Sequence, residues 1–304
     1  MANSIALATK YAKILDELYD VGVKTAILEG STPVDTTFDG GNTVKIYSLS
    51  FDAGLGNYDR TNGYSKGNVT GAWQTMLLTQ DRSKEFSVDS MDDDETLDLT
   101  AGNLFSEYMK GYISPEVDAY RFAKIASTNN VSMNNAAVNA NSVVSLVNAA
   151  EESLTNNGTP EERRVFFMNT TVYNLLKENA TAKNRFVDKD NSDGTIDSRF
   201  TTFDGMPVIK VPQTRFYDSI TIDANNGYSV VVNASNSAEI LSKNIQFLIC
   251  DKQAIVAVKK HVKLRVFTPD ENQSLDAYKI QYRLYHDCFV YDQKVKGIYV
   301  QKSA

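Results

Sequence analysis

Few residues in this chain could do chemistry, and their spacing decides what they can be. The 304 residues include two histidines, His261 and His286, and two cysteines, Cys250 and Cys288. His286, Asp287 and Cys288 are consecutive, so the residue types of a nucleophile, a base and an orienting acid stand side by side. Catalytic groups must converge on one reacting atom. On a strand, successive side chains point to opposite faces, so Asp287 cannot serve its neighbours from their own face. The run reads as structural, and no catalytic residue is assigned.

The segment DKDNSDGTID at 188–197 has the composition of a calcium loop but fails its spacing. With Gly194 as the sixth-position glycine, Lys189 falls on the first ligand position. With Asp188 first, Asp193 stands where glycine belongs. The run DSMDDDETLD at 89–98 carries six acidic side chains and reads as a solvated turn ahead of a helix. Lys259, Lys260, Lys263 and Arg265 form the one notable basic cluster, read as a solvated strand edge. Lys66 sits on a glycine-rich tip, where it could donate to a cross-link; a solvated lysine is the plainer reading. No zinc spacing or phosphate-cradling glycine motif is present, so no metal-ligating or cofactor-binding residue is named and no cofactor is implied.

Composition narrows the class. Hydrophobic residues make up 42% of the chain, enough for a substantial core, and the formal charge is −7 (31 basic, 38 acidic). That balance argues against a nucleic-acid-coating surface. Two cysteines make a disulfide framework improbable and read as small buried residues in a reduced compartment. No apolar run reaches membrane-spanning length, and the start, MANSIALATKYAKILDELYD, lacks a signal peptide's basic head and long apolar middle. The reading is a cytosolic product, or one that leaves the cell outside the secretory route.

The elements that must carry these residues begin with a helix over 4–19, striped by Leu7, Tyr11, Ile14, Leu15 and Leu18 and ended by Gly22. It could dock on its own body or on a neighbour. Residues 43–52 alternate as a strand with a one-residue slip, which predicts a bulge at Tyr47 or Ser48. A second strand runs over 73–79, and 84–88 continues extended. Residues 40–71 hold seven of the sixteen glycines, so this is a long two-stranded arm with a glycine-rich tip. Such a hairpin is marginal alone and needs a surface to lie on.

The stretch 104–129 carries an apolar stripe with Pro115 inside it, which predicts a kink or a second helix capped by Ser114. Tyr108, Met109, Tyr120 and Ile125 should be largely buried on one face. An Asn-rich connector (129–141) leads to a helix over 142–156. The strand 164–168 and a short helix capped by Asn169 or Thr170 follow. After a polar loop (183–203), strands are predicted at 205–212, within 215–237, at 244–250 and at 262–267, with a short helix or turn at 252–258. Residues 277–291 alternate most cleanly, with Tyr278, Ile280, Tyr282 and Leu284 on one side, and 295–301 close a sheet. No regular strand–helix alternation marks a doubly wound fold or barrel. The class is α+β, and the absence of a site in a chain with arms suggests a protein built for contacts.

In order and in motif, the chain resembles the major capsid proteins of tailed bacteriophages, the Hong Kong 97-type fold. The matching stretches are ALATKYAKILDELY, the glycine-rich hairpin, KEFSVDSMDDDET, PEVDAYRFAKIA, RVFFMNTTVYNLL, FDGMPVIKVP and YRLYHDCFVYDQKVKGIYVQ. They run in the family's order over nearly the whole chain. The resemblance implies an N-terminal arm (1–42), an extended E-loop hairpin (43–88), a P-domain with the spine helix (89–159), an A-domain (160–240) and a return to the P-domain (241–304). It implies a viral head protein, not an enzyme, that self-assembles as pentamers and hexamers into an icosahedral shell enclosing double-stranded DNA. The DNA would be held without sequence-specific binding, and no membrane is involved. A portal and decoration proteins are implied partners, and a separate scaffolding protein is expected because the chain departs from the type member in lacking a long scaffold-like extension before the arm. The implied location is the virion, after synthesis in the host cytoplasm. An encapsulin-like nanocompartment shell is the alternative within the fold, and an α+β hydrolase the alternative outside it.

Overall fold

The computed structural model describes residues 22–30, 43–52, 54–61, 63–91, 99–179, 185–188, 201–232 and 241–303. The helix read at 4–19, most of the acidic run at 89–98 and most of the loop at 188–197 lie outside the described residues.

A mixed seven-stranded sheet forms the larger body, in the order β4–β14–β11–β5–β8–β7–β6. Its strands are β4 (Ser132–Asn134), β5 (Arg164–Asn169), β6 (Phe186–Asp188), β7 (Thr201–Phe203), β8 (Met206–Val211), β11 (Ile245–Asp251) and β14 (Ile298–Lys302). All six residues of β5 are buried, and its middle, Val165, Phe166, Phe167 and Met168, is an unbroken apolar run because both faces of the strand are covered. Alternation sends Val165 and Phe167 to one face and Phe166 and Met168 to the other. Helix α2 (Ser114–Ala126) covers the first face, where Phe122 meets Phe167 and Phe216 edge-on at 5.2 and 4.8 Å. Helices α3 (Val143–Asn156) and α4 (Thr170–Glu178) cover the second face through Val143, Val147, Ala150, Leu154, Val172 and Leu176. Asn169 caps α4 by accepting from Val172 N–H at 2.8 Å, as its type predicts.

The second sheet has three long antiparallel strands, β12–β13–β3. They are β3 (Gln80–Asp89), β12 (Ile255–Phe267) and β13 (Ala277–Val290). Strand β12 begins at Ile255, so only Lys252–Ala254 forms the short turn read at 252–258. The C-terminal strands thus divide between the two sheets: β11 and β14 in the larger, β12 and β13 in the smaller. Short β9 (Thr221–Asp223) and β10 (Gly227–Ser229) pair separately, and Val230–Val232 lie outside strands.

The spine joins the two sheets. Helix α1 (Leu99–Tyr108) runs through one π-turn, Met109–Ile113, into α2 without a break. Ser114 is itself helical (φ −60°, ψ −44°) and donates its N–H to the carbonyl of Met109, so it is not the cap that the sequence suggested. The wider turn accommodates the Pro115 ring and its missing donor, which replaces the predicted restart. Tyr120 and Ile125 are buried. Met109 and Tyr112 are 38% and 62% exposed and Tyr108 is half-buried, so the expectation of burial fails on the π-turn side. There the helix leans on one sheet only: Val117, Tyr282 and Leu284 form a small core with Phe105 and Ile113.

Candidate assembly interface

Among the described residues, strands β1 (Thr43–Phe51) and β2 (Val69–Leu77) pair with each other alone, in continuous register from Thr43 opposite Leu77 to Phe51 opposite Val69. No bulge occurs at Tyr47 or Ser48. The slip in the apolar pattern has another cause: the apolar face changes along the ribbon. Near the root, Met76 and Ile46 turn toward the body and pack with Val256, Val258, Tyr285 and Phe289. On the opposite face, Tyr47, Leu49, Phe51, Val69, Trp73 and Leu77 are 45–69% exposed. Residues opposite one another in an antiparallel pair share a face, so Tyr47, Leu49, Phe51, Val69 and Trp73 form one apolar surface, with Leu77 on the same face beyond the Lys45–Thr75 pair. The Tyr47 and Trp73 rings meet at a tilt of 56°, with centroids 5.0 Å apart. Tyr47 lies over Gly71, whose missing Cβ leaves the room; a Cβ there would fall within 2 Å of the Tyr47 hydroxyl.

Amides tie the ribbon to the body along its length. Gln74 donates to the Val290 carbonyl and to Asp292, both at 3.0 Å, and Gln293 donates to the Leu49 carbonyl. At the tip, Asn68 N–H donates to Asp52 at 2.9 Å, and Asp59 and Gly63 exchange two backbone hydrogen bonds. Gly63 has φ +79°, a conformation other residues rarely adopt. Tyr58, Tyr64, Leu55 and Lys66 are exposed there.

The segment after Gly22 is clamped to the spine by charge that sequence reading did not find. Asp118 is fully buried and accepts from Lys24 N–H (2.9 Å), Thr25 N–H (3.0 Å), Thr25 Oγ1 (2.8 Å) and Arg215 (3.2 Å). Arg121, also fully buried, donates to Thr25 Oγ1 at 2.9 Å and to Glu29 at 2.7 Å. Burial works against the Glu29 charge, but hydrogen bonds from Lys259 and Arg121 outweigh it and hold the carboxyl below its usual range. The available signal was two charges, Asp118 and Arg121, in a stretch otherwise apolar enough to be core. Their partners lie 92–97 residues away in sequence, beyond any local pattern.

His286, Asp287 and Cys288 do not converge. Asp287 accepts from Tyr120 Oη (2.6 Å), Thr79 N–H (2.8 Å), Thr79 Oγ1 (3.0 Å) and Cys288 N–H (2.7 Å). Burial pushes the Cys288 thiol up to about 12 and the His286 imidazole down to about 4, so neither is poised as an attacking pair at neutral pH. Cys250 and Cys288 are both buried and free, as composition suggested. Of the basic cluster, Lys259 pairs with Glu29 at 2.8 Å and Lys260 lies over the Tyr285 ring. Among the described residues no group of metal-ligating side chains occurs, and no helix is long and apolar enough to cross a membrane.

No protein-family model matches the sequence, and no curated protein matches it either. Solved structures do. A chain from Mycobacterium phage Che8 superposes with a TM-score of 0.62 at 14% identity, over 99% of this chain and 98% of that one. The capsid structure of cyanophage P-SCSP1u gives 0.63 at 15% identity, over 98% and 93%. The mature capsid of bacteriophage PhiM1 gives 0.66 at 11% identity, over 100% and 95%. The chain therefore has the fold of these phage structures, two of them capsids, along nearly its full length, α+β as the sequence indicated.

Proposed function

We propose that this chain is the major capsid protein of a tailed bacteriophage, a non-catalytic subunit that self-assembles into an icosahedral shell around double-stranded DNA. The observation that carries the reading is the hairpin: on a capsid fold, a ribbon tied to the body by amides turns six large apolar side chains outward. An exposed contiguous apolar surface marks a partner site, and in a shell the partner is another copy. The domain division read from the sequence, with 241–304 returning to the P-domain, belongs to this proposal. Scaffolding, portal and decoration proteins, pentamers and hexamers, and synthesis in the host cytoplasm belong to it too.

Electron microscopy of the purified chain tests the proposal, alone and co-expressed with its neighbouring genes. Closed shells are expected. The double variant Phe51→Ser, Trp73→Ser should melt as the parent does and form none. Shells from that variant would remove the hairpin face from assembly, and a monomer under every condition would overturn the shell reading.

A further inference from the structure

The three-stranded sheet carries its charges in rows. Tyr282 and Leu284 of β13 pack on Val117 of α2, so Arg283 and its alternates Lys279, Gln281 and Tyr285 point away from that helix. On this outer face β3 supplies carboxylates to the cations of β13: Asp81 accepts from Arg283 Nε at 2.9 Å, and Glu85 pairs with Lys279 at 3.3 Å. The next row, His261, Lys263 and Arg265 of β12, stands opposite Tyr285, Arg283 and Gln281. Lys263 and Arg265 are exposed and pair with no carboxylate among the described residues. Strand β12 is the edge of the sheet. Glu29 bridges to Ala257 at its root, and from Lys260 to Phe267 no strand lies beyond it among the described residues. Its pairing with β13 runs unbroken from His261 to Phe267, so the open edge is regular. On the α2 side of this stretch, Val262, Leu264 and Val266 are 56%, 46% and 55% exposed. A row of charges by itself blunts an edge against pairing. Three half-exposed branched side chains behind that row are surface for an added strand to cover.

We propose that β12 is a docking edge for an extended acidic segment of a partner protein, which adds to the sheet as a fourth strand. An edge strand offers its unpaired N–H and C=O groups to such a segment. Side chains alternate between faces, so the segment that fits carries carboxylates opposite Lys263 and Arg265 and apolar residues opposite Val262, Leu264 and Val266. Its signature is acidic residues two apart, with apolar residues between and beside them. It does for β12 what Asp81 and Glu85 do for β13. The same cations set specificity, because a second β12 laid along this edge brings like charges together and is repelled. Nucleic acid would meet the basic row and leave the apolar one in water. The inference rests on the sheet alone and not on the shell reading.

A short end-blocked peptide alternating valine and glutamate tests the proposal against the full-length, unassembled chain. Backbone hydrogen exchange over 260–267 should be fast in the chain alone and slow with the peptide bound. Lys263→Glu combined with Arg265→Glu should weaken binding by about 10-fold or more. A valine–lysine peptide should bind that variant and not the parent. Both side chains are exposed, so the variant should melt as the parent does. Failure of the valine–glutamate peptide to bind, or equal binding of both peptides by the parent, overturns the proposal. So does slow exchange in the dilute chain alone, because the edge is then already covered. Binding undiminished when an inner valine of the peptide is replaced by proline would be charge attraction without strand addition. Displacement of the peptide by a single-stranded oligonucleotide at equal concentration would give the basic row to nucleic acid. Either of these also overturns it.

Discussion

Tyr120 of α2 donates its hydroxyl to Asp287 of β13 at 2.6 Å, joining the spine to the middle of the three-stranded sheet. The carboxylate also takes two donors from Thr79, in the link just before β3, so one side chain fastens the spine, the sheet and that link. Burial and this hydrogen bond raise the Tyr120 pKa, which keeps the phenol a donor. Tyr120→Phe removes a single charge-assisted bond and should cost ~1.5–3 kcal/mol. Asp287→Ala leaves several donors without an acceptor and should cost more than Tyr120→Phe. Denaturant titration of both variants checks the order.

The imidazole of His286 carries a pH prediction. Burial lowers its pKa to about 4, helped by Arg121, Lys259 and Arg82 and opposed by Asp287. The unfolded chain binds this proton near pH 6.5 and the folded one does not. Stability from this group is therefore fully present above pH 6.5 and is lost as pH falls from 6.5 toward 4, by on the order of 3 kcal/mol. His286→Gln should flatten that part of the stability–pH curve. An unchanged slope in melting experiments between pH 7 and 4 would place the titration elsewhere.

Trp73 is the chain's single tryptophan and is 63% exposed on the outward hairpin face. Its emission in the unassembled subunit should be that of a wet indole and should shift to the blue as particles form. Gly71→Ala forces the Tyr47 ring off its seat and should alter the same emission in the subunit with little change in melting temperature. Emission that stays constant through assembly would show that this face remains in water.

The network around Asp118 sets a further expectation. Removing one partner of a buried charged group typically costs ~3–5 kcal/mol. Asp118→Ala should lose stability on that scale and free the 22–30 segment, while Lys66→Ala at the tip should change melting negligibly. Hydrogen exchange at Lys24 and Thr25, whose N–H groups Asp118 holds, reports the local release.

Much of the fold was legible where one face of one element decides the pattern. The alternation of β13 over 278–284, the buried Val165–Met168 run of β5 and the stripe of α3 each answer to surroundings that do not change along the run, and each is found as read. The hairpin answers to two environments in succession, so its true register looked like a slip. Pro115 looked like a helix boundary because a π-turn has no sequence pattern distinct from a kink. The ion network was illegible for a different reason: Asp118 and Arg121 declare burial only through partners almost a hundred residues distant. The apolar hairpin face was present in the sequence as Tyr47, Leu49, Phe51 and Trp73, but which side of the ribbon faced the body required the register.

The link between the two ribbons has a mechanical meaning. Strand β2 ends at Leu77 and β3 begins at Gln80, so a two-stranded ribbon passes into a three-stranded one across Leu78 and Thr79. A third strand stiffens a sheet against bending, and two strands alone yield more readily. Leu78 is buried and Thr79 is bolted to Asp287, so the change in stiffness falls at an anchored joint. The hairpin is thus a cantilever with a fixed root. It can flex to follow the curvature of whatever it lies against, without passing that strain into the core of the subunit.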